Sequence, residues 1–267
     1  MDLALATNYI KTRGDWVVQA RLTALTKAVP ASDLVLQALA AGQNPDGGWP
    51  LQGVAGQPSS LYDTARFVSS LLELDEGESE MALRARAFLV ARQHVRGWWR
   101  ESAALAPFDP PLWMDAESDA AMVYLTALCA ATLAATEAEL LALDQAVAWL
   151  QGQIAPTGLL PGFRIFATAW AIPAFTAIAH RETRSVKRML NGLGALLSPE
   201  WDASSLGTLL AALSQAGFPP ELREVERALK ILTRLQQPDG AWLDEDEKPD
   251  AHLTLQIVRA ARRFGLR

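Results

Sequence analysis

An all-α fold, a ring of six helix hairpins, is what the sequence predicts, and three observations predict it. Apolar residues recur at intervals of three and four along almost the whole chain, as in Leu36, Leu39, Ala40 and in Leu222, Val225, Leu229, Leu232. Breakers arrive at regular intervals, "QNPDGGWP", "RGWWRES", "APTGLLPG", "LSPEWDASS" and "QQPDGAW", each between two helical runs. The phrase "QNPDGGW" at 43–49 returns as "QQPDGAW" at 236–242, so the chain carries an internal repeat. Period-two alternation flanked by hairpin turns is absent, and little β-sheet is expected.

The pairs follow in order, each an outer helix, a Gly/Trp turn and an inner helix. The first spans about 2–12 and 17–28 around "RGDW", and the second about 32–42 and 61–74 around Trp49. The third spans about 80–94 and 116–135 around Trp98 and Trp99, and the fourth about 138–153 and 164–179 around Gly158. The fifth spans about 184–197 and 204–216 around Trp201, and the sixth about 221–236 and 250–264 around Trp242. At about 44 residues per pair the period suits helical-pair repeats. Inner segments such as "AAMVYLTALCAATLAA" and "FATAWAIPAFTAIA" carry no charge, whereas outer ones such as "ELREVERALKILTRLQ" are amphipathic. This division fits an apolar inner barrel wrapped by an amphipathic outer ring. The whole chain, 1–267, is read as one domain.

Composition narrows the function classes. Half of the 267 residues are apolar, and nine Trp stand against three Tyr. A net charge of −6 with scattered basic residues excludes a nucleic-acid groove. The one cysteine, Cys129, excludes an internal disulfide and a Cys-rich zinc site. The N-terminus has an early acid and no long apolar run, and no stretch of roughly eighteen apolar residues is free of breakers. A cytoplasmic protein without signal peptide or spanning helix is therefore expected.

The two copies of the repeated turn share a helix ending in Gln, three residues, Gly, one residue and Trp. Gln43, Gly47 and Trp49 fit this pattern, as do Gln236, Gly240 and Trp242, with degraded copies at Trp16, Trp98 and Trp201. In these features the sequence resembles the squalene–hopene cyclases with their QW repeats, and more broadly the terpenoid cyclases and protein prenyltransferase β subunits. The resemblance covers nearly the whole chain and implies an all-α (α/α)6 toroid whose inner helices line an apolar cavity. The turn itself is expected to be structural: Pro45 and Pro238 set φ, and the following Asp-Gly tolerates positive φ.

The resemblance also implies where an acid should stand. In the cyclases a D-x-D-D-T-A segment opens an inner helix, and a carboxylic acid kept protonated by an apolar cavity attacks an alkene or epoxide. The nearest match here is "SLYDTA", with Asp63 at the last Asp, Tyr62 at the central, proton-donating position and Ser60 at the first. Asp63 is a candidate acid, with an N-cap of the inner helix as the alternative reading. A second candidate is Asp115 with Asp119 in "DAESDAAMVY". If helical, these two share one face, and paired carboxylates raise one pKa; otherwise one caps the helix and the other is solvated. The loop "FDPPLWMD" at 108–115 before them is a candidate lid carrying Trp113.

Candidate substrate-binding residues are Tyr62, Trp113, Tyr124, Phe166, Trp170 and His252. Aromatic faces can stabilise a carbocation, though aromatic residues also serve simply as core. Pro173 should kink the helix beside Trp170. In the prenyltransferase β subunits a zinc-binding His opens the last inner helix, where His252 stands, but the "D-x-C" partner is "WDASS", with Asp202 and Ser204 and no thiolate. No metal site and no cofactor are expected. "DEDE" at Asp244–Glu247 could hold Mg²⁺ or be a solvated loop. The expected function is acid-initiated cyclisation or rearrangement of an isoprenoid-like apolar molecule. The alternative is a non-catalytic apolar-ligand-binding or partner-subunit protein on the same scaffold. Because the chain holds one toroid rather than two helical domains, its own loops, a partner subunit or self-association would close the cavity, and peripheral membrane contact is compatible with such a ligand.

Overall fold

The computed structural model describes residues 1–136, 140–179 and 183–266. Twelve α-helices lie among them: α1 (Leu3–Arg13), α2 (Trp16–Lys27), α3 (Asp33–Gly42), α4 (Leu61–Glu73), α5 (Glu80–Ala91) and α6 (Asp119–Ala135). They continue as α7 (Leu140–Gln153), α8 (Arg164–Ala179), α9 (Arg184–Leu196), α10 (Ala203–Gln215), α11 (Arg223–Leu235) and α12 (Ala251–Arg263). The start of the fourth outer helix, expected near 138, lies outside the described residues. None of the described helices is long and apolar enough to cross a membrane.

The even-numbered helices form the inner ring. α4 packs on α6, α6 on α8, α8 on α10 and α10 on α12, and α2 closes the circle between α12 and α4 as its most thinly packed member. Odd-numbered helices pack outside: α3 on α2, α5 on α4, α7 on α6, α9 on α8 and α11 on α10, with α1 against α12 as well as α2. This is an all-α (α/α)6 toroid. The division follows charge. α6 is buried nearly all round because it presents no polar face, whereas α11 buries only the stripe Val225, Ala228, Ile231, Leu232.

The repeated turn is the joint of this ring, and its three signature residues do different work. Gln at the end of an outer helix reaches forward to the next pair. Gln43 Nε2 donates to the carbonyls of Gly47 (2.7 Å) and Met81 (3.0 Å), and Gln93 Nε2 to those of Gly97 (3.1 Å) and Ala142 (2.8 Å). Gln236 closes the circle: Nε2 donates to the carbonyls of Asp2 (2.8 Å) and Gly240 (3.2 Å), while Oε1 accepts from Asp2 N (2.7 Å). "QHVRGWW" at 93–99 is thus a third complete copy of the turn, not a degraded one, and its plug is Trp99 rather than Trp98. Trp98 instead stacks on His94 at 4.0 Å.

Trp99 and Trp242 are fully buried and donate their indole N–H back to the preceding outer helix, to Leu89 O (2.7 Å) and Leu232 O (2.9 Å). Trp16, in the first pair, is exposed and plugs nothing. A fourth element of the repeat escaped the sequence reading. A threonine early in the inner helix accepts the backbone N–H of the turn: Thr64 from Trp49, Thr126 from Trp99, Thr168 from Leu160 and Thr254 from Trp242. The loops between turn and threonine differ in length, which hides the pattern in one dimension. Replacing Gln236 with alanine removes three hydrogen bonds, two of which tie the first and last pairs, at about 1 kcal/mol each. Amide exchange should show α1 opening more readily in Gln236→Ala while α6 and α8 keep their protection.

Candidate active site at the rim of the inner ring

Several contacts gather the N-terminal ends of the inner helices at one rim. Asp15, the N-cap of α2, bonds His252 Nε2 at the start of α12 (3.1 Å). Glu101, from the loop before α6, caps α4, and Gly162 before α8 lies against Ala120 of α6. The caps themselves follow ordinary chemistry. Ser60, Ser118, Asp202 and Asp250 accept from the backbone three residues on in α4, α6, α10 and α12.

This corrects the reading of the candidate acids. Asp63 is not an N-cap; Ser60 is, and Asp63 stands in the first turn of α4, its Oδ2 accepting from Gln52 N at 3.1 Å. Burial raises its pKa, against the hydrogen bonds from Gln52 and Ser60 and the nearby Arg66. Asp115 and Asp119 do not share a helical face. Asp115 lies outside α6, where its carboxylate accepts from Glu117 N at 2.9 Å in a tight turn. Asp119 is the first residue of α6, its side chain is 86% exposed, and it pairs with Arg100 at 2.6 Å.

The paired carboxyl groups are instead Asp63 and Glu101. Glu101 is 4% exposed; its Oε1 accepts from Tyr62 N (2.9 Å) and Ser60 Oγ (3.1 Å), and its Oε2 from Leu61 N (2.9 Å). These are backbone donors that the first turn of α4 would otherwise leave orphaned. Burial nevertheless pushes the carboxyl up to about 7, with the charge of Asp63 adding to the rise. The sequence offers only faint notice of this residue, an acid two positions after Trp99, because its partners lie about forty residues away in the chain.

Glu101 makes stability pH-dependent. A raised carboxyl pKa favours the folded state fully below the unfolded value, and that contribution is lost as pH rises through the folded value near 7. Stability should therefore fall between about pH 4.5 and 7, by on the order of 3 kcal/mol for a shift of this size. Glu101→Gln loses an acceptor and is weaker at every pH, but its denaturant midpoints should move less across that window than those of the wild type, the remainder coming from groups such as Asp63. A midpoint in the wild type that does not move with pH would show that Glu101 is ionised throughout.

Around this pair stands an aromatic wall. Tyr62 lies 6.3 Å from Trp113 and 6.4 Å from Tyr124, centroid to centroid, and Tyr124 lies 5.9 Å from Phe163 and 6.5 Å from Phe166. Trp170 follows Phe166 by one turn on α8 and is partly buried against the main core. α8 runs through Pro173 as one element to Ala179. The candidate lid, 108–115, holds the 3-10 turn Leu112–Met114 and follows another at Ala103–Phe108, and Leu105 and Met114 of these turns pack with Leu51 under Tyr62 and Trp113. His252 stays apart from the aromatic cluster, held by Asp15, whose carboxyl that hydrogen bond pulls down to about 2. In "DEDE", Asp244 accepts from Asp246 N and Lys248 N and Asp246 pairs with Lys248, while Glu245 leans inward, within electrostatic reach of Tyr124 and Asp202. Among the described residues no three His, Cys, Asp or Glu side chains converge as metal ligands.

Known structures place this geometry. A protein from Actinoplanes superposes over 99% of this chain and 100% of its own, at 20% identity and a TM-score of 0.68. A variant of the type II terpene cyclase MstE from Scytonema, in complex with the substrate geranylgeranyl dihydroxybenzoate, matches over 98% of this chain and 96% of its own, at 14% identity and a TM-score of 0.65. The fold is the terpenoid-cyclase toroid. The ent-copalyl diphosphate synthase from Streptomyces platensis matches over 94% of this chain but only 50% of its own length, at 16% identity and a TM-score of 0.60. No protein-family model matches the chain, and no curated protein matches it. On this terpenoid-cyclase toroid the N-terminal rim of the inner helices brings together Asp63, Tyr62, Trp113, Tyr124 and Phe166, and adds Glu101, Phe163 and Arg66. It does not bring Asp115, Asp119 or His252 into the same cluster.

Proposed function

We propose that this chain, one toroid domain over 1–267 with its Gln–Gly–Trp turns as QW repeats, is a cyclase or isomerase of isoprenoid-like substrates. The observation that carries the reading is a pair of carboxyl groups, Asp63 and Glu101, whose pKa values burial raises beside an aromatic wall. Glu101 is committed to the backbone of α4, so Asp63 is the group left to meet a substrate. Its O–H adds a proton to an alkene or epoxide, leaving an aspartate and a carbocation. Tyr62, Trp113, Tyr124, Phe166 and Trp170 then offer ring faces to the cation, and return of a proton to Asp63 on elimination completes an isomerisation with no cofactor. One of the similar structures is named a type II terpene cyclase and another an ent-copalyl diphosphate synthase, names that agree with this reading.

A second reading has its own support. Tyr62 occupies the position where the resemblance puts the proton donor, and a phenol is a far weaker acid than a carboxylic acid. A toroid retained for binding an apolar ligand, or as a partner subunit, would tolerate that exchange. Incubation of the purified protein with linear prenyl alcohols, prenyl diphosphates and squalene, followed by mass analysis of extracts, separates the two. Cyclised or rearranged product from wild type supports catalysis. Binding with every substrate recovered unchanged supports the second reading.

A further inference from the structure

The inner helices are not alike on the faces that their outer partners leave free. α6 and α8 offer Tyr124, Leu128, Phe166 and Trp170, an apolar and aromatic half. α4, α12 and α2 offer guanidinium groups. On α4, Tyr62, Arg66, Ser69 and Glu73 follow at intervals of four, three and four and so share one face, and Arg259 and Arg263 share a face of α12. Glu73 binds two arginines at once. Its Oε2 accepts from Arg21 Nε of α2 at 2.6 Å and its Oε1 pairs with Arg259 Nη1 of α12, the side chains of Arg21, Glu73 and Arg259 being 10%, 15% and 20% exposed. Arg66 lies within electrostatic reach of Arg21, and Arg263 of Arg259. Among the described residues neither Arg66 nor Arg263 has an ion-pair partner; Arg66 Nη1 reaches only Tyr62 Oη, at 3.4 Å.

Four guanidinium groups thus gather where three inner helices meet: Arg21 and Arg259 pair with Glu73, while Arg66 and Arg263 stand beside them, with Asp63 the carboxyl group within electrostatic reach of Arg66. Burial and the neighbouring cations pull Arg259 down to about 9 and Arg21 to about 10, so both stay charged at neutral pH. Crowded like charges in a partly desolvated place are costly unless an anion joins them, and guanidinium is the group best shaped for carboxylate and phosphate oxygens. We propose that this half of the toroid binds the anionic head group, carboxylate or diphosphate, of a ligand whose apolar tail lies along the aromatic half. The rise of α4 from Asp63 to Glu73 is about 15 Å, which separates the acid from the far end of the arginine cluster. The inference rests on the proposed function only for the apolar tail.

The test is titration of the protein with geranylgeranyl diphosphate, geranylgeranoic acid and geranylgeraniol, followed by tryptophan fluorescence. At least one of the two anions should bind about tenfold or more tightly than the alcohol, the size expected of one well-made charge-assisted contact. Which anion gains identifies the head group. In the double variant R66Q/R263Q, which leaves the Arg21–Glu73–Arg259 bridge in place, that advantage should vanish while the alcohol binds as before. Equal binding of all three ligands, binding of none, or an equal loss for all three in the variant would overturn the proposal. Asp63→Asn should keep the preference for anions, so a protein that selects anions without converting them loses the catalytic reading alone, and one that turns over substrate without selecting anions loses only this one.

Discussion

Gly97→Ala is expected to cost about 4 kcal/mol of stability, enough to leave much of the chain unfolded near 37 °C. Gly97 has φ +92, a region that an L side chain occupies only under strain. Its space is also taken. A Cβ there would stand 2.2 Å from the carbonyl oxygen of Gln145 and 2.5 Å from the carbonyl carbon, both backbone of α7. A helix cannot retreat as a flexible side chain can, so the third turn would have to part from the fourth pair. Gln93 would then lose its bond to Ala142 O, and the joint would fail on both sides. Gly47, Gly158 and Gly240 stand in the same relation to the next outer helix, with a Cβ meeting Arg84 O at 2.6 Å, Arg188 O at 2.0 Å and the Leu5 carbonyl carbon at 2.4 Å. Denaturant unfolding of Gly97→Ala beside the exposed Gly56→Ala, whose Cβ would meet nothing within 4 Å, separates crowding from strain. A loss of less than about 1 kcal/mol in excess of that control would mean that the turn does not carry the ring.

Asp63→Asn is expected to lower turnover of an isoprenoid substrate by at least about a hundredfold, the lower range for removing a positioned general acid. The amide keeps the shape of the side chain and can still accept from Gln52 N, so the fold and the aromatic wall should persist. What it cannot do is donate a proton to carbon. The pH profile gives the sign: the acid must be protonated, so activity should fall as pH rises through the raised pKa of Asp63, which burial lifts above its ordinary value. Asp119→Asn serves as the comparison, since that residue is exposed and ion-paired. Unchanged turnover in Asp63→Asn, with loss in Glu101→Gln, would move the acid to Glu101. Loss in Asp119→Asn alone would return it to the start of α6.

Much of the fold was legible in one dimension, and the reasons are particular. Nine of the twelve helices fall within about two residues of their expected bounds at both ends, because caps such as Asp15, Ser79 and Asp202 and the Gly turns act over a few residues of chain. Closure of the ring could be argued from six pairs, and Gln236 was visible as part of the repeat, though not as the clasp on Asp2. The third copy of the turn is present in one dimension as well, in Gln93, Gly97 and Trp99, but Trp98 beside the true plug obscures its spacing. The site was less legible. Five aromatic residues of the wall, Tyr62, Trp113, Tyr124, Phe166 and Trp170, are legible from their place in or beside inner helices, whereas Phe163 joins them only in the fold. The carboxylate pair was sought at Asp115 and Asp119, four residues apart, when it lies at Asp63 and Glu101.

Sequence alone therefore determined what depends on near neighbours: the helix pairs, the turn chemistry, the charge-free apolar runs of α6 and α8 and the candidate acid at the start of α4. Tertiary structure decided what depends on burial and on partners far along the chain. It placed Glu101 beneath the first turn of α4, exposed Asp119 to water and to Arg100, and bridged Arg21 and Arg259 through Glu73 with Arg66 and Arg263 beside them. The physical reason is common to all three. The state of a charge is fixed by the dielectric and by the counter-charges around it, and a closed ring supplies both from helices that the chain keeps far apart.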